Sequence, residues 1–153
     1  MSPAASIATL AGLGRVGPAP GTVASLVTAC AAWGIASATG GRVLVLFAGI
    51  VAMVAGGWAG QLYARERGVS DPPDCVIDEV AGQFIACAFA PRTLLGYAVA
   101  FLLFRALDIW KPWPIGAAER LPGGLGIVAD DVAAGILAGV VIILLVQTRV
   151  VPA

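Results

Sequence analysis

The sequence predicts an all-α fold: an integral membrane helical bundle of about five membrane-embedded helices plus a short N-terminal element, in one domain over residues 1–153. Three observations carry that expectation. The chain is 59% hydrophobic and 12% charged, with a mean hydropathy of +0.95, where a soluble domain is about a quarter charged. Its apolar residues gather into stretches approaching the roughly 20 residues that a helix needs to cross hydrocarbon. Its acids all fall in the segments that return to one side once those stretches are threaded through a bilayer.

Taken in order, residues 7–13 are too short to span and predict an interfacial or re-entrant helix. Stretch 23–39 is marginal for a crossing, and stretch 43–64 is long enough. Stretches 75–90 and 93–107 are short and joined at Ala90, Pro91 and Arg92. The last, 132–148, is again long enough. Thr22 is placed to cap the helix that follows it. Gly123, Gly124 and Gly126 read as a mobile linker into Asp130. Gly56 with Gly60, and Gly135 with Gly139, are small-xxx-small pairs of the kind that let helices approach closely in lipid.

Threading these stretches puts Arg15, Arg65, Arg67, Arg105, Lys111 and Arg120 on one side, against Arg42, Arg92 and Arg149 on the other. The positive-inside rule makes the first side cytoplasmic. Every acid lies on that same side. Asp78, Glu79, Asp108, Asp130 and Asp131 border apolar segments, where a carboxylate is costly unless paired or metal-bound. Hard oxygen ligands of this kind suit Mg²⁺ or Mn²⁺. The bland alternative is that Asp78–Glu79 and Asp130–Asp131 cap helix N-termini. Glu66, Asp71, Asp74 and Glu119 read as solvated loop charges. Arg105, Asp108 and Lys111, three apart, share one face if helical. Either they form an ion-pair ladder, or the two cations face phosphate oxygens while Asp108 holds metal. Trp110 and Trp113 fall where an interfacial aromatic belt belongs, and Pro112 and Pro114 must end the helix.

Net charge is zero and gives no basic surface for nucleic acid. There is no histidine, which removes histidine-dependent phosphatases and most zinc sites. Cys30, Cys75 and Cys87 form no CxxC pair and point to no disulfide framework or thiolate metal site, and Cys30 and Cys87, inside apolar stretches, read as small hydrophobes. The first residues lack the basic region of a cleaved signal peptide, so the N-terminus is expected to be mature. No GK[ST] follows either glycine-rich stretch, so neither is a P-loop.

FRALDIWKPWPI at 104–115, GIVADDVAAG at 126–135, DEVAG at 78–82 and PGTVASL at 20–26 occur in this order. In these motifs the chain resembles the bacterial phosphatidylglycerophosphatase A family over nearly its whole length, with Ala24 standing where the family usually has glycine. The resemblance implies a Mg²⁺-dependent, multi-pass phosphatase of the bacterial inner membrane, working at the cytoplasmic face. Its substrate would be phosphatidylglycerophosphate and its product phosphatidylglycerol. Asp78, Glu79, Asp108, Asp130 and Asp131 would then share catalysis and metal binding, with Arg105, Lys111 and Thr22 on the phosphate. Membrane lipids are the other expected partner, and an oligomer is compatible with the sequence. Two other classes compete. A CDP-alcohol transferase would repeat aspartates at four-residue spacing, which is missing here. A small cation transporter would place acids nearer mid-membrane.

Overall fold

The computed structural model describes residues 1–152, and among them it holds helices and turns but no strand. Helix α1 (Pro3–Ala8) is capped by Ser2, whose hydroxyl accepts from the Ala5 amide at 3.0 Å. A tight turn and a 3-10 segment at Leu13–Arg15 follow. The short N-terminal helix thus lies earlier than the stretch 7–13 expected for it, where the chain instead finishes α1, turns and enters the 3-10 segment. Helix α2 (Pro20–Thr39) opens with proline in its first turn and stops at Gly40, in the left-handed region. Helix α3 (Arg42–Arg67) stops the same way at Gly68. Then come α4 (Ile77–Ala88), α5 (Leu94–Trp110), the single turn α6 (Ile115–Ala118) and α7 (Gly124–Gln147).

All five apolar stretches are helical, but the expected span count needs correction. Among the described residues, only α2, α3 and α7 are both long and apolar enough to cross a membrane. At 1.5 Å per residue the 12 residues of α4 reach about 18 Å, short of a hydrocarbon core of about 30 Å. Helix α4 is instead the buried centre of the bundle, with α2, α3, α5 and α7 packed around it. Outside, Val43, Val54, Leu94 and Leu102 are exposed on the surfaces of α3 and α5. Water does not tolerate such a surface at this density, and lipid does.

The interior is built from small residues. Ala32, Ala36, Ala81, Ala86, Ala100, Ala134 and Ala138 are fully buried, so the helices sit close. The glycine pairs take part, each facing a different neighbour. Gly56 and Gly60 meet Ile77 and Cys75 at the start of α4, together with Val128 and Ile127 of α7. Gly135 meets the backbone of Gly82, and Gly139 the ring of Phe89.

The two ends of the bundle differ. At one, Arg92 donates to the Gly40 carbonyl at 3.1 Å, tying the α4–α5 turn to the α2–α3 turn. At the other, α1 and the 3-10 turn are fastened to the end of α3 and the loop after it. Ser2 donates to Glu66 at 2.7 Å, the Val76 amide donates to the Ala8 carbonyl at 2.9 Å, and Arg15 pairs with Asp74 at 3.2 Å. Because Ile77 packs beside Gly56, α4 begins eleven residues, about 16 Å, short of the end of α3 at Arg67. The loop 68–76 descends along α3 to reach it. The acids of α4 therefore do not lie at the rim, as the border positions in the sequence suggest. They are recessed into the bundle.

Candidate active site

Helix α7 starts eight residues before the predicted stretch, and this changes the status of its acids. Gly123 flanks its start, Gly124 and Gly126 lie within its first turn, and no side chain caps it. The expected mobile linker is therefore ordered helix. A Cβ on Gly124 would overlap the Gly57 carbonyl, and one on Gly126 the Leu121 carbonyl, so close approach is what glycine serves there. Asp130 and Asp131 sit in the second turn, buried, and cap nothing. Asp78 and Glu79 occupy the first turn of α4, where the Asp78 carboxylate accepts from the Glu79 amide at 3.1 Å.

One helix crossing brings these pairs together. A Cβ on Gly82 would overlap the Asp131 carbonyl and crowd the Phe104 ring, and a Cβ on Gly135 would overlap the Gly82 carbonyl. Backbone thus lies on backbone where α4 meets α7. Asp78 is one turn before Gly82 and Asp131 one turn before Gly135, on the same faces. As a result, a carboxylate oxygen from each of Asp78, Glu79 and Asp131 lies within 4.8 Å of the others.

Around this triad the remaining predicted residues take distinct places. Asp108 accepts from Arg105 at 2.6 Å. Asp130 pairs with Lys111 at 2.7 Å, and Lys111 also reaches Glu119 at 3.1 Å. Lys111 is not on the helical face of Arg105 and Asp108, because it caps α5 in the left-handed region with φ 47°. A Cβ on Gly21, at the start of α2, would overlap a Glu79 carboxylate oxygen and lie 3.4 Å from Arg105 Nη1. Glu79 and Arg105 thus converge on the first turn of α2. A cavity of about 630 Å³ has Asp78, Glu79, Asp108, Asp130, Asp131 and Lys111 in its wall.

Thr22 does not hold its expected position. The residue flanking α2 is Ala19, no side chain caps that helix, and Thr22 lies inside the first turn and outside the cavity wall. Proline at Pro20 starts the helix three residues earlier than a threonine cap would. Of the acids expected as solvated loop charges, Glu66 is exposed but lies in the last turn of α3 and accepts from Ser2, and two others are held in ion pairs. Glu119 pairs with Lys111. Asp74 accepts from Tyr63 at 2.6 Å and pairs with Arg15. Desolvation works to raise the Asp74 carboxyl, but the hydrogen bonds from Tyr63 and Arg15 outweigh it and leave it below the ordinary carboxylate value. Asp71, also in the cavity wall, is pushed up by desolvation and by the charge of Asp130. Desolvation would lower Lys111, yet Asp130 and Glu119 hold it above its ordinary value, so it stays charged.

The donor set fits a divalent cation. Glu79 Oε2, Asp130 Oδ1 and Asp131 Oδ1 are buried without a hydrogen-bond partner. Unpaired carboxylate oxygens in a low-dielectric interior are costly until a cation or proton meets them. Three hard oxygen donors at this separation match an ion that completes its shell with water and substrate oxygen. Asp78, Glu79 and Asp131 could therefore hold a metal ion.

Residues 6–146 match the sequence profile of the family described as phosphatidylglycerophosphatase A. The chain belongs to that family. A phosphatidylglycerophosphatase A from Haemophilus influenzae (strain ATCC 51907 / DSM 11121 / KW20 / Rd) is 36% identical over 133 residues, covering 86% of this chain and 81% of the relative. One from Escherichia coli (strain K12) is 41% identical over 76 residues, 48% of this chain and 44% of that protein. A Bacteroides thetaiotaomicron protein, provisionally named a phosphatidylinositol-3-phosphatase, is 36% identical over 103 residues, 65% of this chain and 60% of its own. No solved structure matches. Membership of the phosphatidylglycerophosphatase A family makes the chain a phosphatase, a hydrolase in class.

Proposed function

We propose that this protein hydrolyses the terminal phosphate monoester of phosphatidylglycerophosphate, yielding phosphatidylglycerol and inorganic phosphate, with Mg²⁺, at the cytoplasmic face of a bacterial inner membrane. One observation carries the reading. The carboxylates of Asp78, Glu79 and Asp131 converge beside two cations, with an unpartnered oxygen on Glu79 and another on Asp131, inside a bundle whose outer surface suits lipid.

Asp78, Glu79 and Asp131 are the metal ligands in this reading. Asp108, next to Asp131, and Asp130, across from Lys111, complete the acidic set. A divalent ion supplies positive charge against phosphoryl oxygens and a nucleophile at neutral pH. Arg105 and Lys111 offset the phosphate charge that builds up in the transition state. Asp108 fixes the guanidinium, and Asp130 with Glu119 fixes the ammonium, so both cations are oriented before substrate arrives. Gly21 leaves room for Glu79 at the start of α2, whose backbone dipole favours negative charge there.

The test is phosphate release by purified protein from phosphatidylglycerophosphate in mixed micelles, with Mg²⁺ or with EDTA. Release that needs the metal is expected, and Asp131→Asn should lower it by about 10²-fold or more. Release unaffected by EDTA would remove the metal from the reading. The relative named for a phosphatidylinositol phosphate supports a second reading, a phosphatase of another lipid phosphate monoester. Faster release from phosphatidylinositol 3-phosphate than from phosphatidylglycerophosphate would favour it.

A further inference from the structure

The acidic cavity has a neighbour. Between α3 and α7 runs an apolar groove of about 610 Å³, walled by Met53, Val54 and Trp58 on one side and Val128, Val132 and Ile136 on the other. Gln61 belongs to the walls of both the groove and the acidic cavity. Gly123, in the cavity wall, is followed directly by Gly124, in the groove wall. The two spaces are also level with each other. Gly56, which packs beside Ile77 and so marks the depth of Asp78 along α3, is the neighbour of Gly57 in the groove.

We propose that this groove is the acyl-chain subsite of the enzyme, so that a lipid phosphate enters sideways from the bilayer between α3 and α7. The inference rests on the lipid-phosphatase reading and deepens it. A recessed site creates a problem of access for an amphiphile, whose chains cannot follow a headgroup into a polar cavity without losing contact with apolar surroundings. A groove at the same depth solves it, since the phosphate can face the acids while the chains stay among Met53, Val54, Val132 and Ile136. Gln61, a neutral donor and acceptor at the junction, stands where the glycerol and ester oxygens of such a lipid would pass. The absence of a side chain at Gly57 keeps the groove open. A Cβ there would meet nothing closer than the Gly124 carbonyl at 3.7 Å, an ordinary contact. Helix packing alone therefore does not demand glycine at 57, unlike at 124.

Gly57→Leu fills the groove without touching the acids. It should lower kcat/KM for a long-chain diacyl lipid phosphate by about tenfold or more. A water-soluble short-chain analogue of the same headgroup should change less than about twofold, and Gly57→Ala should fall between. Equal losses on both substrates, or no loss on either, would overturn the groove assignment. So would a change in oligomeric state with the chain-length preference unmoved, which gives the groove to a second copy of the chain. If Gly57→Leu does not fold, the wild-type protein still decides the matter through a lipid phosphate carrying a photoreactive group in its acyl chain. Labelling of 53–61 and 124–136 supports the subsite, and labelling confined to other segments refutes it. Wild type that releases phosphate from neither substrate sinks the phosphatase reading itself, whereas the photolabel reports on the groove independently.

Discussion

Lys111 shows how a single residue here serves two ends. A non-glycine residue in the left-handed region costs about 1–2 kcal/mol, and helices usually end in that conformation on glycine. The chain places lysine there instead, with its amide closing α5 onto the Leu107 carbonyl at 2.8 Å and its ammonium on Asp130 and Glu119. Cap and charge separate by substitution. Lys111→Gly should keep or raise the melting temperature relative to Lys111→Met, because the backbone strain is relieved. Both should lose phosphate release by about 10²-fold. Melting curves beside single-turnover rates test the pair, and full activity in either would take Lys111 out of the site. At Asp74 the prediction concerns pH. Its folded value lies below its ordinary one, so its contribution to stability is complete above the ordinary carboxylate value. That contribution is lost as pH falls through the folded value. Thermal unfolding in detergent across acidic pH should show the decline, and Asp74→Asn should flatten that part of the curve.

At the scale of elements, the crossing of α4 and α7 sets the geometry of the acids. The sequence repeats one pattern on both helices, an aspartate followed four residues later by glycine: Asp78 with Gly82 and Asp131 with Gly135. Gly82→Ala should force the helices apart at a cost of about 1–3 kcal/mol and draw Asp78 away from Asp131. The apparent Mg²⁺ affinity in activity titrations should weaken by about 10–100-fold, while Gly57→Ala leaves it alone. A Gly82→Ala protein with unchanged metal dependence would show that the crossing does not position the ligands. That repeat was the sequence signal for which acids converge, and a search for helix-length apolar runs passes over it. The five helices were legible because apolar length survives any packing. The start of α7 was not, because glycine in a helix interior costs about 1 kcal/mol against alanine. Only the overlaps at Gly124 and Gly126 reveal why that cost is accepted. Thr22 misled for a related reason: threonine is a good cap in isolation, and Pro20 pre-empts it.

Across the whole molecule, charge and architecture predict one orientation. The number of full crossings does not affect it, since α4 and α5 leave and return to the same end whether or not their turn reaches the far surface. Arg65, Arg67, Lys111 and Arg120 gather at the acidic end, while Arg42, Arg92 and Arg149 are at the other. Basic residues in short flanking segments set orientation far more than acids do, so the acids beside them do not cancel the signal. The acidic end is therefore expected to face the cytoplasm. Single-cysteine reporters test this in a chain whose Cys30, Cys75 and Cys87 are replaced by alanine. Ser70 is exposed in the loop above the acids, and Arg149 is exposed at the opposite end. A membrane-impermeant maleimide should label Ser70→Cys in inverted inner-membrane vesicles but not in intact spheroplasts, and Arg149→Cys in the reverse pattern. Reversal of both would put the acids outside. In that case the arginine asymmetry would have to be explained by binding to anionic headgroups rather than by insertion.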